Sequence, residues 1–262
     1  MNITSAITSL PSWILFILII LVGMLIAEAG ALVAEKRLQK GVKEPEAPIS
    51  SALGAIMALL GFMLGFTFSI TSDRFAERRA LIIQHANAIG TSYLRTSMIP
   101  DKQKTEVKKL YREYVDILLQ IKTVSHAQNS LSKIDDIHLL LWNQTASLAK
   151  EDMDSELRSL FTSSVNEVID IASERATISL LVRIPPILWL SLLVLFTMGM
   201  FVMGYQTGTF NILSIYSMPL LTAAIAIVIV LIAEMDSSEK KGFRITQKPM
   251  ENVREMMRDS IP

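Results

Sequence analysis

The clearest pattern in the chain is the absence of charge from three apolar stretches. Residues 12–27, 51–72 and 184–233 contain no Lys, Arg, Asp or Glu, although these residues make up 19% of the sequence. An α-helix rises ~1.5 Å per residue, so about 20 apolar residues cross the ~30 Å hydrocarbon layer of a bilayer. The pattern therefore predicts an integral membrane protein.

The third uncharged stretch is too long for one crossing. Its middle, residues 204–211, is polar and contains two glycines, which is typical of a turn. The stretch is therefore predicted to form a helical hairpin. With the first two stretches it predicts four spans, at about residues 12–33, 52–72, 187–206 and 212–233. A cleaved secretory signal is the alternative for the first span, and the absence of Lys and Arg from residues 1–11 argues against it.

Residues 73–183 are polar, and their apolar positions recur at helical spacing. Leu110, Tyr114 and Leu118 show this pattern, as do residues 157–169. Helices are predicted at about residues 73–98, 101–124, 133–150 and 153–183. The first of these is expected to continue span two without a break. Pro100 is expected to end it, and Asp101 to cap the next helix.

No strand pattern competes with these helices, so the predicted fold is all-α. It consists of four transmembrane helices with a helical cytoplasmic domain inserted between spans two and three. The expected domains are spans one and two (residues 1–72), the helical domain (73–183), the transmembrane hairpin (184–233) and a C-terminal tail (234–262).

The charge balance excludes one class of partner. The 25 Lys and Arg residues equal the 25 Asp and Glu residues in number, and the helical domain and the tail are each close to neutral. Nucleic-acid binding needs clustered cationic contacts to phosphates, so no nucleic-acid partner is predicted. The lipid bilayer is the partner that the composition requires.

Lysine and arginine near the ends of spans predict the orientation. Basic residues flank the helical domain and the tail, namely Arg74, Arg78, Arg79, Arg175, Arg183, Lys240, Lys241, Arg244 and Lys248. The opposite side has only the short loop with Lys36, Arg37, Lys40 and Lys43. The prediction is a multi-pass protein of a cell membrane, a bacterial inner membrane by preference, with the helical domain and both termini in the cytoplasm.

Residues with catalytic or metal-binding chemistry are scarce. His85, His126 and His138 fall in separate predicted helices without metal-ligand spacing, and the chain contains no cysteine. Each histidine is better explained as a surface residue or a hydrogen-bonding residue between helices. No phosphate-binding loop or nucleophile motif is present in the sequence. We therefore predict no enzyme activity, no cofactor and no metal.

Span two carries a face of small residues. Gly54, Ala58, Gly61 and Gly65 recur at steps of three and four, so another helix can approach them closely. Phe62 and Phe66 stand one turn apart beside this face, and Ser69 follows. One interpretation is tight packing within the four-helix unit. The other is that copies of span two surround an axis, with Phe62 and Phe66 forming an apolar constriction and Ser69 also lining the pore.

Sequence motifs beyond span two support a family resemblance. The motif residues are Arg78, Arg79, Asn87, Gly90, Thr91, Arg95, Asn166, Asp170, Arg175 and Asp236, within segments such as Tyr114-Val115-Asp116 and Gln247-Lys248-Pro249-Met250. In this order they resemble the bestrophin-like membrane protein family of bacteria and plants, over about residues 52–252. Position 85 departs from the family pattern, which usually has Glu where this chain has His85.

The resemblance implies a more distant kinship to bestrophins, which are pentameric ion channels whose second span lines the pore. It therefore implies an oligomeric channel for inorganic ions, formed as a homo-oligomer and a pentamer by analogy. The alternative is a non-conducting membrane scaffold or sensor whose helical domain binds a protein partner.

Physical interpretations of the motif residues accompany the family resemblance. Arg78, Arg79 and Arg95 are expected to pair with Asp170 and Glu167 and so hold two helices together. Asn87, Gly90 and Thr91 suggest a place where another helix or a partner subunit comes close.

Overall fold

A computed structural model describes residues 10–42, 45–121, 124–180, 182–210, 216–237 and 246–259, and every regular element in these ranges is a helix. The helices are α1 (Ser12–Gln39), α2 (Glu46–Arg95), α3 (Asp101–Gln120), α4 (Val124–Ser147), α5 (Ser155–Leu180), α6 (Pro186–Phe210), α7 (Ser217–Asp236) and α8 (Lys248–Asp259). Short 3-10 turns follow α2 and α4, at Thr96–Met98 and Leu148–Lys150. The all-α prediction is therefore confirmed.

Four helices are long and apolar enough to cross a membrane, as predicted, and they are α1, α2, α6 and α7. Span two continues without a break into the following helix, so α2 has 50 residues. At ~1.5 Å per residue its length is about 75 Å, more than twice the hydrocarbon thickness. Only its uncharged part, residues 51–72, therefore suits the bilayer interior.

The turn predicted at residues 204–211 is wrong over most of its length, because α6 remains helical to Phe210. Gly204 and Gly208 are the points where α6 packs against α1. A Cβ atom on Gly204 would lie 1.8 Å from the carbonyl oxygen of Ala27, and one on Gly208 would lie 2.7 Å from that of Ala31. Glycine here permits close helix packing and does not mark a turn.

Two boundaries in the polar segment also differ from prediction. Helix α4 begins at Val124 and not near 133, since no Gly or Pro interrupts residues 124–132. Pro100, not Asp101, occupies the N-cap position of α3, and no side chain caps that helix. A side-chain cap is found instead at α5, where Asp154 Oδ1 accepts the backbone N–H groups of Glu156 at 2.8 Å and Leu157 at 3.0 Å.

The chain divides into two compact units. The first contains residues 1–75 and 183–242 and therefore all four uncharged spans. Its buried core includes Leu60 and Leu64 of α2, Trp189 and Phe196 of α6, and Ile229 of α7. Helices α1 and α7 meet at one point of close approach, because a Cβ atom on Gly23 would lie 2.6 Å from the Thr222 methyl group.

Three hydrogen bonds join chain segments at the end of the first unit where α7 finishes. The Ser12 hydroxyl donates to Glu234 Oε1, which joins the start of α1 to the end of α7. Asp236, the last residue of α7, accepts the backbone N–H of Ile184 at 3.1 Å on its carboxylate, and its carbonyl accepts from Arg183. Because Pro185 and Pro186 have no N–H to donate, Ile184 provides the last backbone donor before α6.

The second unit contains residues 76–182 and 243–262. Its core contains Tyr93 of α2, Tyr111 and Tyr114 of α3, and Phe161 of α5. Helix α8 packs into the same core through Met250 and Met257, which are almost fully buried. Residues 234–262 were expected to form a C-terminal tail, and α8, which lies within that range, belongs to the helical unit.

Candidate functional site

One face of α2 in the first unit is uncovered in the single chain. Phe62 is 68% exposed and Phe66 is 50% exposed, and their rings lie nearly parallel with centroids 6.5 Å apart. Gly54, Ala58, Gly61, Gly65 and Ser69 are exposed on the same helix. No described atom lies within 4 Å of the Cβ position of Gly54, Gly61 or Gly65. Packing of this face against another span of the same chain is therefore not observed.

The opposite face of α2 provides the contacts within the chain. Leu60 and Leu64 are buried, and Met57 lies against Gly199 of α6, 2.8 Å from its Cβ position. Two buried hydroxyls on this face are satisfied internally, since Thr67 donates to the Met63 carbonyl at 2.7 Å and Thr71 to the Thr67 carbonyl at 2.6 Å. The helix thus has one face fixed in the unit and one face available to another molecule.

The second unit contains a buried polar cluster that brings together His85, Tyr114, His138 and Arg175. The Nε2 atom of His85 lies 3.0 Å from the Tyr114 hydroxyl, and its Nδ1 atom lies 3.2 Å from Nη1 of Arg175. The Tyr114 and His138 rings meet edge to face with centroids 5.1 Å apart. Four helices, α2 to α5, each contribute one residue. We call these four residues the His85 cluster.

The hydrogen bonds determine the protonation of His85. A guanidinium group has only donors, so Nδ1 of His85 must accept from Arg175. In a neutral imidazole the proton then lies on Nε2, which donates to the Tyr114 oxygen. Burial, the Arg175 charge and His138 lower the pKa of His85 to about 3, and burial raises the pKa of Tyr114. Both groups are neutral near pH 7.

A second buried network lies deeper in the same unit. The hydroxyls of Ser92 and Tyr111 are 2.6 Å apart, and those of Ser92 and Ser164 are 3.0 Å apart. Ser164 also donates to the Phe161 carbonyl at 2.7 Å, so the chain runs from Tyr111 through Ser92 and Ser164 to that carbonyl. Burial raises the pKa of Tyr111. Every hydroxyl proton has an acceptor in this network, which suits a structural role.

The three histidines were predicted to be surface or inter-helix hydrogen-bonding residues. His85 is an inter-helix residue, and sequence spacing did not indicate that His138 lies beside the same tyrosine. The side chain of His126 lies outside the described residues. Within the described ranges, no group of three or more His, Asp and Glu side chains is placed to hold a metal ion.

The other motif residues occupy different environments. Arg79, Asn87, Thr91, Asn166 and Asp170 are exposed, Arg95 is half-buried, and Arg78 and Asp236 are buried. Gly90 is buried beneath α8, with Val253 3.8 Å and Met256 3.9 Å from its Cβ position. The close approach expected at this position is therefore made by a helix of the same chain.

The ion pair predicted for Arg95 is wrong. Its Nη1 atom donates to the carbonyl oxygen of Leu160 in α5 at 3.1 Å, and Glu167 and Asp170 are exposed. The Arg95 contact and the contact between Arg175 and His85 together join α2 to α5. Helix α8 is held by Arg254, whose Nε lies 2.6 Å from Asp116, and by Arg112 and Tyr93, which donate to the Met257 carbonyl.

Known proteins match the chain in fold and in family. Two crystal structures of a bacterial bestrophin homolog from Klebsiella pneumoniae, each with one substitution, are 15% identical to this chain, with TM-scores of 0.68 and 0.69. Each match covers 93% of this chain, and the two cover 97% and 98% of the homolog chains. This identity supports the fold alone. No curated protein matches the chain.

The family itself is given by a family model. The model described as the bestrophin-like domain matches residues 16–250, from the first span to the beginning of α8. This match includes all four spans and the helical unit between spans two and three. It confirms the resemblance inferred from the motif residues. The chain is therefore a membrane protein that belongs to the bestrophin-like family.

Proposed function

We propose that the protein is a homo-oligomeric ion channel in which α2 of each copy lines the conduction axis. The observation that carries the proposal is the uncovered face of α2 with its small residues and two stacked phenylalanines. Lipid contact is the simpler explanation for an exposed apolar residue. A row of Gly54, Ala58, Gly61 and Gly65, however, suits close helix contact better than lipid, because small residues let two backbones approach.

The contrast with other glycines in the first unit supports this assignment. Gly23, Gly30, Gly204 and Gly208 lie on α1 and α6, and each is in tight contact with a neighbouring helix of the same chain. On α2, the glycines at 54, 61 and 65 have no such neighbour among the described residues. A second copy of α2 is the partner that we assign to them. A pentamer follows by analogy with bestrophins.

Phe62 and Phe66 are proposed to form the narrowest part of the pore, followed by Ser69. Phenyl rings present no polar group to replace the hydration shell of an ion, so a ring of them closes a pore by dewetting. The two side chains are one helical turn apart, their rings are stacked, and each is half exposed or more in the single chain.

We also propose that the protein lies in a cell membrane, a bacterial inner membrane by preference, with both termini and the helical unit in the cytoplasm. The Lys and Arg distribution supports this orientation. The hydrogen bond between Ser12 and Glu234 agrees with it, since four spans return the chain to the side on which it began. This hydrogen bond supports a common side of the membrane for both termini, and the Lys and Arg distribution indicates which side that is.

A non-conducting scaffold is the second candidate, and one surface favours it. Leu139, Leu140 and Trp142 of α4 are 62%, 49% and 41% exposed, which suits contact with another protein. The two functions differ in assembly. Purified protein in detergent should form a ring of at least three copies by native mass spectrometry and pass ions in liposome flux assays. A monomer or dimer that passes no ions would instead support the scaffold.

A further inference from the structure

His85 occupies the meeting point of four helices, and each neighbouring helix faces it with a titratable or charged group. Tyr114 faces it from α3, His138 from α4 and Arg175 from α5. Asp135 of α4 acts on Tyr114 and His138. Arg175 and the protonated form of His138 are the groups whose charge acts on His85, and both oppose its protonation.

Protonation of His85 is incompatible with this arrangement. The added proton would lie on Nδ1, the atom that accepts from Arg175 at 3.2 Å. Two donors and two positive charges would then face each other in a site where His85 is only 1% exposed to solvent. The hydrogen bond is lost and replaced by repulsion, so a charged His85 must leave the site or Arg175 must.

We infer that His85 and Arg175 form a proton-sensitive tie between α2 and α5, which is closed when His85 is neutral and opens when His85 takes up a proton. The acceptor atom Nδ1 is the switch, and Tyr114 on the opposite side of the ring keeps Nδ1 turned toward Arg175. His138 is a second titratable group in the His85 cluster. Its pKa is lowered by burial, so it adds to the effect in the same direction.

The tie joins two helices that continue toward the membrane spans. Helix α2 is one continuous helix that includes span two, and α5 ends at Leu180, shortly before span three begins at Pro186. Opening the tie at acid pH therefore removes one of the polar contacts between these helices, and the Arg95–Leu160 and Ser92–Ser164 contacts remain. The inference does not depend on ion conduction, because it concerns the contacts of the helical unit alone.

The size of the effect follows from linkage. A histidine has a pKa of about 6.5 when exposed, and the closed site holds the pKa of His85 at about 3. The opening equilibrium should then increase about 30-fold between pH 7.5 and pH 5.0 from His85 alone.

The test uses the full chain in detergent. Hydrogen exchange of the amides around Arg175 in α5, corrected for intrinsic rates, should reveal the 30-fold increase in opening. The chain contains three histidines, so ¹⁵N-histidine NMR can resolve them. One histidine should keep the Nε2–H tautomer and remain neutral at pH 5.0. A histidine spectrum in which all three titrate near pH 6.5 would overturn the inference, as would exchange in α5 that does not change with pH.

Two variants assign the effect to His85. His85→Gln retains an acceptor and a donor but cannot be protonated, so most of the pH dependence of exchange should disappear. His138→Gln removes the neighbouring histidine and leaves the Arg175 bond, so most of the dependence should remain. If the pattern is reversed, His138 is the switch and the assignment to His85 is wrong. If His85→Gln does not fold, the NMR spectrum of His138→Gln decides: the neutral Nε2–H histidine should still be present there at pH 5.0, and its loss would overturn the assignment.

Discussion

The backbone of Gly204 lies directly against the carbonyl oxygen of Ala27. A Cβ atom at position 204 would lie 1.8 Å from that oxygen, a distance at which one of the two helices must move. The same close approach occurs between Gly30 and Phe201 and, one turn beyond Gly204 and Ala27 along both helices, between Gly208 and Ala31. Helices α1 and α6 therefore pack by close contact of their backbones.

Replacing Gly204 by alanine should destabilise the first unit strongly. The clash involves backbone atoms, which cannot rotate away as a side chain does, so we expect a loss of about 3 kcal/mol or more. The matched control is Gly90→Ala in α2, where the new Cβ would make ordinary contacts at 3.8 and 3.9 Å. This control should be neutral or gain up to about 1 kcal/mol from helix propensity. Thermal unfolding in detergent measures both, and equal midpoints would contradict the packing.

The pKa of His85 predicts an acid loss of stability. Because the folded pKa is about 3 and the unfolded value is 6.5, the unfolded chain binds more protons below pH 6.5. Stability is therefore complete above pH 6.5 and is lost progressively down to about pH 3. From His85 alone the free energy of unfolding should fall by about 2 kcal/mol between pH 7.5 and pH 5.0.

His85→Glu tests this origin. A carboxylate beside Arg175 remains ionised at both pH values, since an exposed Glu has a pKa of about 4.3 and the Arg175 charge favours ionisation. The variant should thus lack most of the loss between pH 7.5 and pH 5.0, and its own loss should begin below about pH 4. Melting midpoints at the two pH values provide the comparison, and the other two histidines are common to both proteins. If the melting midpoint falls equally in parent and variant between pH 7.5 and pH 5.0, the acid loss of stability does not come from His85.

The membrane-spanning part of the fold could be predicted from the sequence, because the bilayer restricts which residues a span can contain. The bilayer excludes charge, so the four spans could be predicted directly from the uncharged stretches. The choice of helix partner was not visible, because it depends on which backbones meet. Gly204 and Gly208 were therefore interpreted as a turn when they are packing positions for α1.

The His85 cluster shows the same limit at a site. His85, Tyr114, His138 and Arg175 are separated by as many as 90 residues and have no common spacing. Position 85 was recognised as a departure from the family pattern, but its contact with Arg175 was not. Only packing of α2, α3, α4 and α5 brings these side chains together. That Phe62 and Phe66 lie one turn apart on one helix could be predicted from the sequence, because their spacing within a single helix is enough to place them.

The small-residue face of α2 should determine assembly. Gly61→Leu or Gly65→Leu adds a side chain where close backbone approach is proposed. The oligomers of these variants should therefore dissociate at a lower detergent concentration, or at a higher protein concentration, than those of the parent. Ala29→Leu is the control, because it also places a leucine side chain at an exposed position, here on α1. Multi-angle light scattering reports the mass of each variant. Assembly like that of the parent in both glycine variants would exclude this face as the interface.

The proposed orientation can be tested with a single cysteine, since the chain has none of its own. Gly41 has φ 75°, a conformation that a cysteine rarely adopts, so exposed Lys40 is the better position in the loop between α1 and α2. Lys40→Cys should react with a membrane-impermeant maleimide on intact cells. A reporter active only in the cytoplasm should work when fused at Pro262. A protected cysteine with an inactive reporter would invert the topology.

The final prediction concerns the constriction proposed at Phe62 and Phe66. Replacing either by alanine removes an exposed phenyl ring, so little cavity forms in the single chain and the melting midpoint should change little. If the rings close a pore, the wider opening should raise conductance in planar bilayers or liposome flux, with assembly unchanged.

Trp189→Ala is the contrasting control. Trp189 is 1% exposed in the core of the first unit, so its truncation should cost roughly 3–5 kcal/mol by analogy with soluble cores. The parent and the Phe62→Ala, Phe66→Ala double variant should both be tested as intact oligomers over a range of voltage, pH and salt concentration. If neither passes ions, the channel function is excluded and the scaffold function remains.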